Sequence, residues 1–217
     1  RVTELTEAEA LVADGVCDLV GMTRAHIADP ELVTKSAAGR TVIPCIGCNQ
    51  GCIGHYHAGM PIACTVNVRT GRERTIPRRA EPETPEKLEA AEALEEGESA
   101  GEHESDTQRR PRTGPVTVVI GGGPAGVAAA LEAAENGDQV RLFEAATGLG
   151  GQLRIAGKAP AHRELWAKYS AWIAAELDRL GVEVRLGSPA TAEDCADADR
   201  VILATGGTGL VRAAYSS

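Results

Sequence analysis

Apolar and polar residues follow two different spacings along this chain, one typical of strands and one typical of helices. A short apolar run at residues 17–22 predicts a buried parallel strand, and further apolar runs predict strands at residues 115–120, 139–143, 182–186 and 199–207. Helical spacing of apolar residues, together with cap and stop residues, predicts helices at residues 6–15, 30–36, 124–136 and 162–180. Strands that alternate with helices are typical of an α/β fold with a parallel sheet.

Residues 1–40 have the pattern expected at the end of a (β/α)8 barrel. Thr6 is the expected N-cap of the first helix, and Glu9 completes a capping box. After the first predicted strand, Arg24 lies on a loop, and Pro30 opens the next helix. Phosphate sites in such barrels lie at the last strand–loop junctions. Arg24 is therefore a candidate phosphate contact, and an ordinary surface arginine is an equally good interpretation.

Residues 41–77 contain a cluster of cysteines that predicts a metal centre. Four of the six cysteines fall within this segment: Cys45, Cys48, Cys52 and Cys64. Four thiolates on a Gly-rich loop suit an iron–sulfur cluster or a single zinc ion. The loop lacks the two separated Cys-x-x-Cys pairs usual in zinc modules, which favours the cluster and leaves zinc as the alternative. His55 and His57 flank the loop, and we expect both to face solvent.

Residues 78–114 form a predicted acidic linker of Pro, Glu, Ser and Gly. Residues 81–106 contain ten Glu, one Asp and one Lys, which account for the net charge of −9 and leave the rest of the chain near neutral. No basic stripe with interleaved aromatic residues occurs, so we expect no nucleic-acid partner. No apolar run of about 18 residues occurs either, so we expect no membrane-spanning helix.

Residues 115–217 predict a partial Rossmann-like FAD/NAD(P)-binding domain. The first strand runs into Gly121-Gly122-Gly123-Pro124-Ala125-Gly126, and a helix follows. In this motif Gly121 makes the tight turn, Gly123 admits a pyrophosphate, and Gly126 allows close helix–strand packing. Glu144 lies 18 residues beyond Gly126 and is placed to accept hydrogen bonds from a ribose. A second Gly-rich loop follows at residues 148–153.

These motifs together resemble the iron–sulfur flavoproteins of the 2,4-dienoyl-CoA reductase/trimethylamine dehydrogenase group, whose barrel is related to Old Yellow Enzyme. The resemblance rests on Asp18-Leu-Val-Gly-Met-Thr-Arg24 with Ala28-Asp-Pro30, and on the four clustered cysteines. It continues through the glycine motifs at residues 119–126, 150–153 and 204–207. Nearly the whole chain outside the linker is covered.

The resemblance implies three prosthetic groups and a ligand set for each. It implies a [4Fe–4S] cluster on Cys45, Cys48, Cys52 and Cys64, FMN with its phosphate at Arg24, and FAD reduced by NADPH. It places the following residues at the FAD or its ADP moiety: Gly121, Gly123, Pro124, Ala125, Gly126, Glu144, Gly151 and Gln152. The cluster would pass electrons between the two flavins, and the expected substrate is an enoyl thioester or a related small molecule.

The chain also departs from this group, which predicts a fragment. It begins at Arg1 rather than Met, and it lacks most of the barrel and the nicotinamide-binding insertion. We therefore expect no catalytic residue in this chain, no turnover by the chain alone, and the missing portions of its own full-length protein as partners. Clustered rather than dispersed cysteines favour the reducing cytoplasm. A non-catalytic zinc module and an inactive truncated remnant are the alternatives.

Overall fold

The computed structural model describes residues 2–76 and 113–207, which group into two compact units. Unit 1 contains the described residues of 2–76 together with residues 156–181. Unit 2 contains residues 113–155 and 182–207. The predicted acidic linker lies almost wholly outside the described residues.

Unit 1 is helical in its described part. Its elements are α1 (Leu5–Ala13), α2 (Thr23–Ala28), α3 (Leu32–Ala37), a π-helical turn (Gln50–Gly54), α4 (His55–His57), a 3-10 turn (Pro160–His162) and α7 (Arg163–Arg179). The two helices between α4 and α7 in the chain are described with unit 2. Ala8, Met22, Ala25 and Leu32 are buried together in one apolar cluster, so the first three helices share a core.

Several elements expected in residues 1–40 differ in the structure. Residues 17–22 form no strand, and Leu19 in this run is 89% exposed. A strand is held by hydrogen bonds to neighbouring strands, and the described part of unit 1 contains no other strand that could pair with it. The predicted barrel end therefore stays a prediction.

The helix starts in this region also differ from the predicted ones. Glu4, with extended backbone, is the N-cap of α1 and makes no side-chain cap, so Thr6 lies inside the helix. Pro30 precedes rather than opens α3, which begins at Leu32. Arg24 lies in the first turn of α2, where the sequence predicted a loop.

A buried carboxylate joins α3 to the segment that leads into the cysteines. The side chain of Asp29 is fully buried and accepts hydrogen bonds from the backbone N–H of Glu31 at 3.1 Å and of Ile43 at 3.0 Å. Lys35 Nζ lies 2.6 Å from its Oδ2 and neutralises it. Asp29 thus fixes the chain two residues before Cys45.

Helix α7 packs within unit 1, although the predicted dinucleotide-binding domain included it. Its apolar side is buried at Tyr169, Trp172, Ile173 and Leu177. Lys168 forms an ion pair with Glu4, and Thr41 donates a hydrogen bond to Glu176. Burial raises the pKa of Tyr169 to about 12, and the charge of Cys64 adds to the shift. The helix predicted at residues 162–180 is confirmed, and its apolar side is part of the core.

Unit 2 is built on a parallel four-stranded sheet in the order β3-β2-β1-β4. Its strands are β1 (Val116–Ile120), β2 (Gln139–Glu144), β3 (Glu183–Leu186) and β4 (Arg200–Leu203), and its helical elements are α5 (Pro124–Glu135), α6 (Gly151–Ala156) and a 3-10 turn (Glu193–Cys195). The parallel α/β prediction is confirmed here. The apolar runs of β1 and β2 form the two central strands, with both faces buried, as at Val118, Val119 and Leu142. The strands β3 and β4 lie outside them and are more exposed.

Among the described residues, no helix has both the length and the apolar character needed to cross a membrane.

Candidate functional site

The four clustered cysteines line one cavity in unit 1. Its walls also include Arg24 and Ile27 from α2 and the residues around the thiols: Ile46, Gly47, Asn49, Gly51, Ala63, Thr65 and Val66. All six cysteines of the chain are free thiols, so no disulfide competes for these four. The sequence prediction that Cys45, Cys48, Cys52 and Cys64 belong to one site agrees with this geometry.

Unusual backbone geometry brings Cys52 and Cys64 together. Asn49 adopts the left-handed conformation with φ 57°, and the π-helical turn that follows it carries Cys52. The Gly51 carbonyl accepts a 2.8 Å hydrogen bond from the Ala63 N–H. A Cβ at residue 51 would lie 2.6 Å from the Ala63 oxygen, so only glycine permits this approach. The turn and the strand-like segment before Cys64 are thereby held side by side.

Polar groups act on two of the sulfur atoms. Burial raises the pKa of the Cys64 thiol, hydrogen bonding from the backbone N–H groups of Val66 and Asn67 opposes the rise, and the charges of Cys48 and Cys45 add to it. The Thr65 hydroxyl lies 3.2 Å from the sulfur of Cys48. Donors of this kind stabilise thiolate sulfur.

The donor set of this cavity fits an iron–sulfur cluster. Clusters of this type are held by four cysteine thiolates, and their potential depends on hydrogen bonds to sulfur. In the part of the chain that the structure describes, no three His, Cys, Asp or Glu side chains are arranged to hold one metal ion together. The ligands of a single ion converge on one point, whereas each cysteine of a four-iron cluster binds a different iron.

Arg24 lies at the cysteine cavity rather than on a separate loop. Its Nη1 donates a 2.6 Å hydrogen bond to Oδ1 of Asn49, which begins the π-helical turn. The two flanking histidines do not line the cavity. His57 is exposed, as expected, whereas His55 is half-buried and its Nδ1 lies 2.8 Å from the backbone oxygen of Pro61.

The glycine motif of unit 2 lies at the carboxyl end of β1, where the sheet order reverses. Strand β1 lies between β2 and β4, and ligands of such sheets bind in the crevice at this switch point. Gly121 has φ 110°, and a Cβ there would lie 2.3 Å from the Ala204 oxygen. A Cβ at Gly126 would lie 1.8 Å from the Gly121 oxygen, which is the close helix–strand contact that the motif predicts.

Open space lies beside Gly123, where the sequence predicts the pyrophosphate. A Cβ at Gly123 would meet no atom within 4 Å. Gly123 is also the N-cap of α5, and Pro124 opens that helix without needing a hydrogen-bond partner for its nitrogen. The exposed Ala125 follows in the first turn. A helix N-terminus beside open space suits the phosphates of a dinucleotide such as FAD.

Glu144 contacts the glycine motif directly. Its Oε2 accepts a 2.7 Å hydrogen bond from the Gly122 N–H, and its Oε1 accepts one of 2.7 Å from the Ala146 N–H. The second Gly-rich loop also reaches this motif, because the Gly150 N–H donates to the Gly122 oxygen at 2.7 Å. Residues 151–156, including the exposed Gln152, form helix α6 rather than a loop.

Comparison with known proteins relates the chain to enzymes of redox chemistry. A family model described as FAD dependent oxidoreductase matches residues 117–197. The N,N-dimethylglycine/sarcosine dehydrogenase of Chromohalobacter salexigens is 38% identical over 212 residues, which are 95% of this chain and 26% of that protein. The NADH oxidase of Thermoanaerobacter brockii is 40% identical over 205 residues, which are 92% of this chain and 27% of the relative. The chain is related to flavin-dependent oxidoreductases.

A solved structure extends the similarity to the fold. A 2-naphthoyl-CoA reductase in complex with 2-naphthoyl-CoA matches with a TM-score of 0.72 and 29% identity, over 95% of this chain and 27% of that one. The chain therefore spans about a quarter of the length of these relatives. At this coverage of the chain, the similarity to these relatives includes both the cysteine cavity and the glycine motif.

Three residues of the cysteine site escaped the sequence prediction: Asn49, Thr65 and Asn67. Asn49 supplies the left-handed residue, and asparagine is among the few residues that tolerate this conformation. Asn67 donates from Nδ2 to the Ala28 oxygen at 2.9 Å and ties the segment after Cys64 to α2. The position of Asn49 inside the cysteine loop was a usable signal, whereas the roles of Thr65 and Asn67 depend on contacts across the fold.

Proposed function

We propose that this chain is the electron-transfer portion of a flavin-dependent oxidoreductase of the 2,4-dienoyl-CoA reductase type. Cys45, Cys48, Cys52 and Cys64 would hold a [4Fe–4S] cluster, and the glycine motif of unit 2 would hold FAD. When bound, the cluster supplies one-electron transfer and the flavins supply hydride exchange. The residues of this chain bind these groups, orient them and direct hydrogen bonds to them.

The observation that carries the proposal is the convergence of four cysteine thiols on one cavity, in a chain related to flavin oxidoreductases. The Thr65 hydroxyl beside the Cys48 sulfur supports the proposal, because hydrogen bonds to sulfur are among the factors that tune a cluster. The close approach at Gly51, which holds the turn of Cys52 beside the residue before Cys64, supports it as well.

Arg24 supports the part of the proposal that concerns FMN. Its guanidinium lines the cysteine cavity and is oriented by Asn49. A planar cation with several N–H donors suits a phosphate group. FMN would therefore bind with its phosphate at Arg24, close to the cluster ligands.

The proposal extends to the full-length protein. There NAD(P)H would reduce the FAD, and an enoyl thioester or a related small molecule would be the substrate. The 2-naphthoyl-CoA reductase among the similar structures is named for a CoA thioester, which supports this substrate class. The enzyme would work in the cytoplasm, where the thiols stay reduced.

Anaerobic purification of the full chain, followed by analysis for iron, sulfide, zinc and flavin, tests the proposal. We expect about four iron atoms per chain, a broad visible absorption that bleaches with dithionite, and bound FAD. Cys48→Ala should lose the iron and keep the FAD. Cys17→Ala is the matched control, since Cys17 does not line the cavity, and should keep both.

Other compositions would overturn the proposal. A colourless protein with one zinc ion per chain would favour a non-catalytic zinc-binding module. A protein that holds neither metal nor flavin would favour an inactive remnant. Equal iron in wild type and Cys48→Ala would show that the metal is bound elsewhere.

A further inference from the structure

The segment immediately after Cys64 places a side-chain hydroxyl beside a sulfur atom of the cysteine site. The hydroxyl of Thr65 lies 3.2 Å from the sulfur of Cys48, and both residues line the cavity. Because this donor belongs to a side chain, it can be removed by substitution.

The position of this segment is fixed by contacts that do not involve the cysteines. Asn67 Nδ2 donates to the Ala28 oxygen at 2.9 Å, and Asn67 Oδ1 accepts from the Arg69 N–H at 3.0 Å. The Thr70 hydroxyl donates to the Ile27 oxygen at 2.8 Å. The segment is therefore anchored to the C-terminal end of α2, and the Thr65 hydroxyl is presented to Cys48 by a supported backbone.

Ligation fixes the direction of the Thr65–Cys48 hydrogen bond. In a free thiol either atom can donate the proton. A cysteine that binds metal is a thiolate and has no proton to donate. With the cluster bound, Thr65 is thus the donor and the Cys48 sulfur the acceptor.

We propose that Thr65 is a positioning residue that raises the reduction potential of the cluster by donating a hydrogen bond to the Cys48 sulfur. The inference rests on the proposed function, because it concerns a cluster bound by these cysteines. Reduction adds negative charge that is shared with the thiolate sulfurs, and a donor at sulfur stabilises the reduced form more than the oxidised form. Hydrogen bonds to sulfur are among the factors that set cluster potentials.

The test is a redox titration of the reconstituted full chain, followed by electron paramagnetic resonance of the reduced cluster. Thr65→Val keeps the side-chain shape and removes the hydroxyl, and it should shift the midpoint potential to a more negative value. Thr65→Ser keeps the hydroxyl and should restore the wild-type potential. The midpoint does not depend on the fraction of chains that hold a cluster, so partial loading of a variant leaves the comparison valid.

Thr70→Val is the matched control within the same segment. It removes a hydroxyl that bonds a backbone oxygen of α2 rather than a sulfur. The contacts of Asn67 still anchor the segment, so the potential should stay unchanged. Equal potentials in wild type and Thr65→Val would overturn the inference. A shift in Thr70→Val or Thr65→Ser as large as that in Thr65→Val would overturn it too, since the effect would then be structural. A wild-type chain that binds no cluster would instead refute the proposed function itself.

Discussion

At the scale of single residues, the cysteine site depends on a carboxylate that touches none of the cysteines. Asp29 is fully buried, and its two oxygens bind the backbone of Glu31, the backbone of Ile43 and the ammonium of Lys35. It therefore fixes the chain that enters the metal loop. Its position within Ala28-Asp-Pro30 was visible in the sequence, but its partners Lys35 and Ile43 were not.

Asp29→Asn should destabilise unit 1. The amide keeps one acceptor oxygen, but its NH2 group faces donors, and Lys35 loses its counter-charge. Breaking a buried, hydrogen-bonded charge pair costs about 2–4 kcal/mol of unfolding free energy. Urea unfolding followed by tryptophan fluorescence measures this in unit 1, because both tryptophans of the chain, Trp166 and Trp172, lie in α7.

Asp14→Asn is the control for this measurement, because Asp14 is exposed. It should unfold at the same urea concentration as the wild type. If Asp29→Asn unfolds there as well, the buried carboxylate does not stabilise unit 1.

At the scale of elements, two glycines of the glycine motif have different roles. Gly126 allows close helix–strand packing, and Gly123 leaves space for the cofactor. Gly126→Ala would put a Cβ 1.8 Å from the Gly121 oxygen and force α5 away from the turn after β1. We expect a loss of about 1–3 kcal/mol in the stability of unit 2 from this overpacking, and weaker FAD binding because the helix N-terminus moves.

Gly123→Ala should behave differently. Its Cβ would enter open space, and its backbone (φ −72°, ψ 178°) is accessible to alanine. Unit 2 should keep its stability, while FAD affinity falls by about tenfold or more, or about 1.4 kcal/mol, because the methyl group occupies the approach of the pyrophosphate.

Circular dichroism during unfolding and titration with FAD measure the two quantities for both variants. Gly21→Ala in unit 1 is the control, since a Cβ at residue 21 also meets open space and residue 21 lies outside the glycine motifs, and it should leave both unchanged. Wild-type FAD affinity in Gly123→Ala would contradict the assignment of this position to the cofactor.

The elements that the sequence predicted well are those whose partners lie within the chain. The strands β1, β2, β3 and β4 pair with one another, so each predicted strand finds its hydrogen-bond partner inside the chain. Residues 17–22 have a similar apolar run but no strand to pair with in the described part of unit 1. The π-helical turn at Gln50–Gly54 follows no apolar periodicity, and close packing of backbone against backbone at Gly51 produces it.

At the scale of the whole molecule, the chain order and the structural units differ in one informative way. Helix α7 follows the glycine motif in sequence but packs in unit 1 with the cysteine segment. Sequence patterns identify such a helix by its apolar stripe, but they do not show which partner covers the stripe. The grouping of the four cysteines at one cavity and the position of the glycine motif after β1 were predictable because both follow from residue spacing within a short stretch of chain. The role of the cysteines as ligands stays a prediction.

The central part of the proposed function is that electrons would pass between an FAD held by unit 2 and a cluster held by unit 1. Light-driven reduction of bound FAD by EDTA, followed by freezing and electron paramagnetic resonance, tests it most directly in the full chain loaded with both groups. The account predicts that the signal of the reduced cluster grows as the flavin absorbance bleaches, and that Cys48→Ala bleaches without any such signal. A wild-type chain whose FAD is fully reduced while its cluster, reducible by dithionite, stays silent would contradict the account.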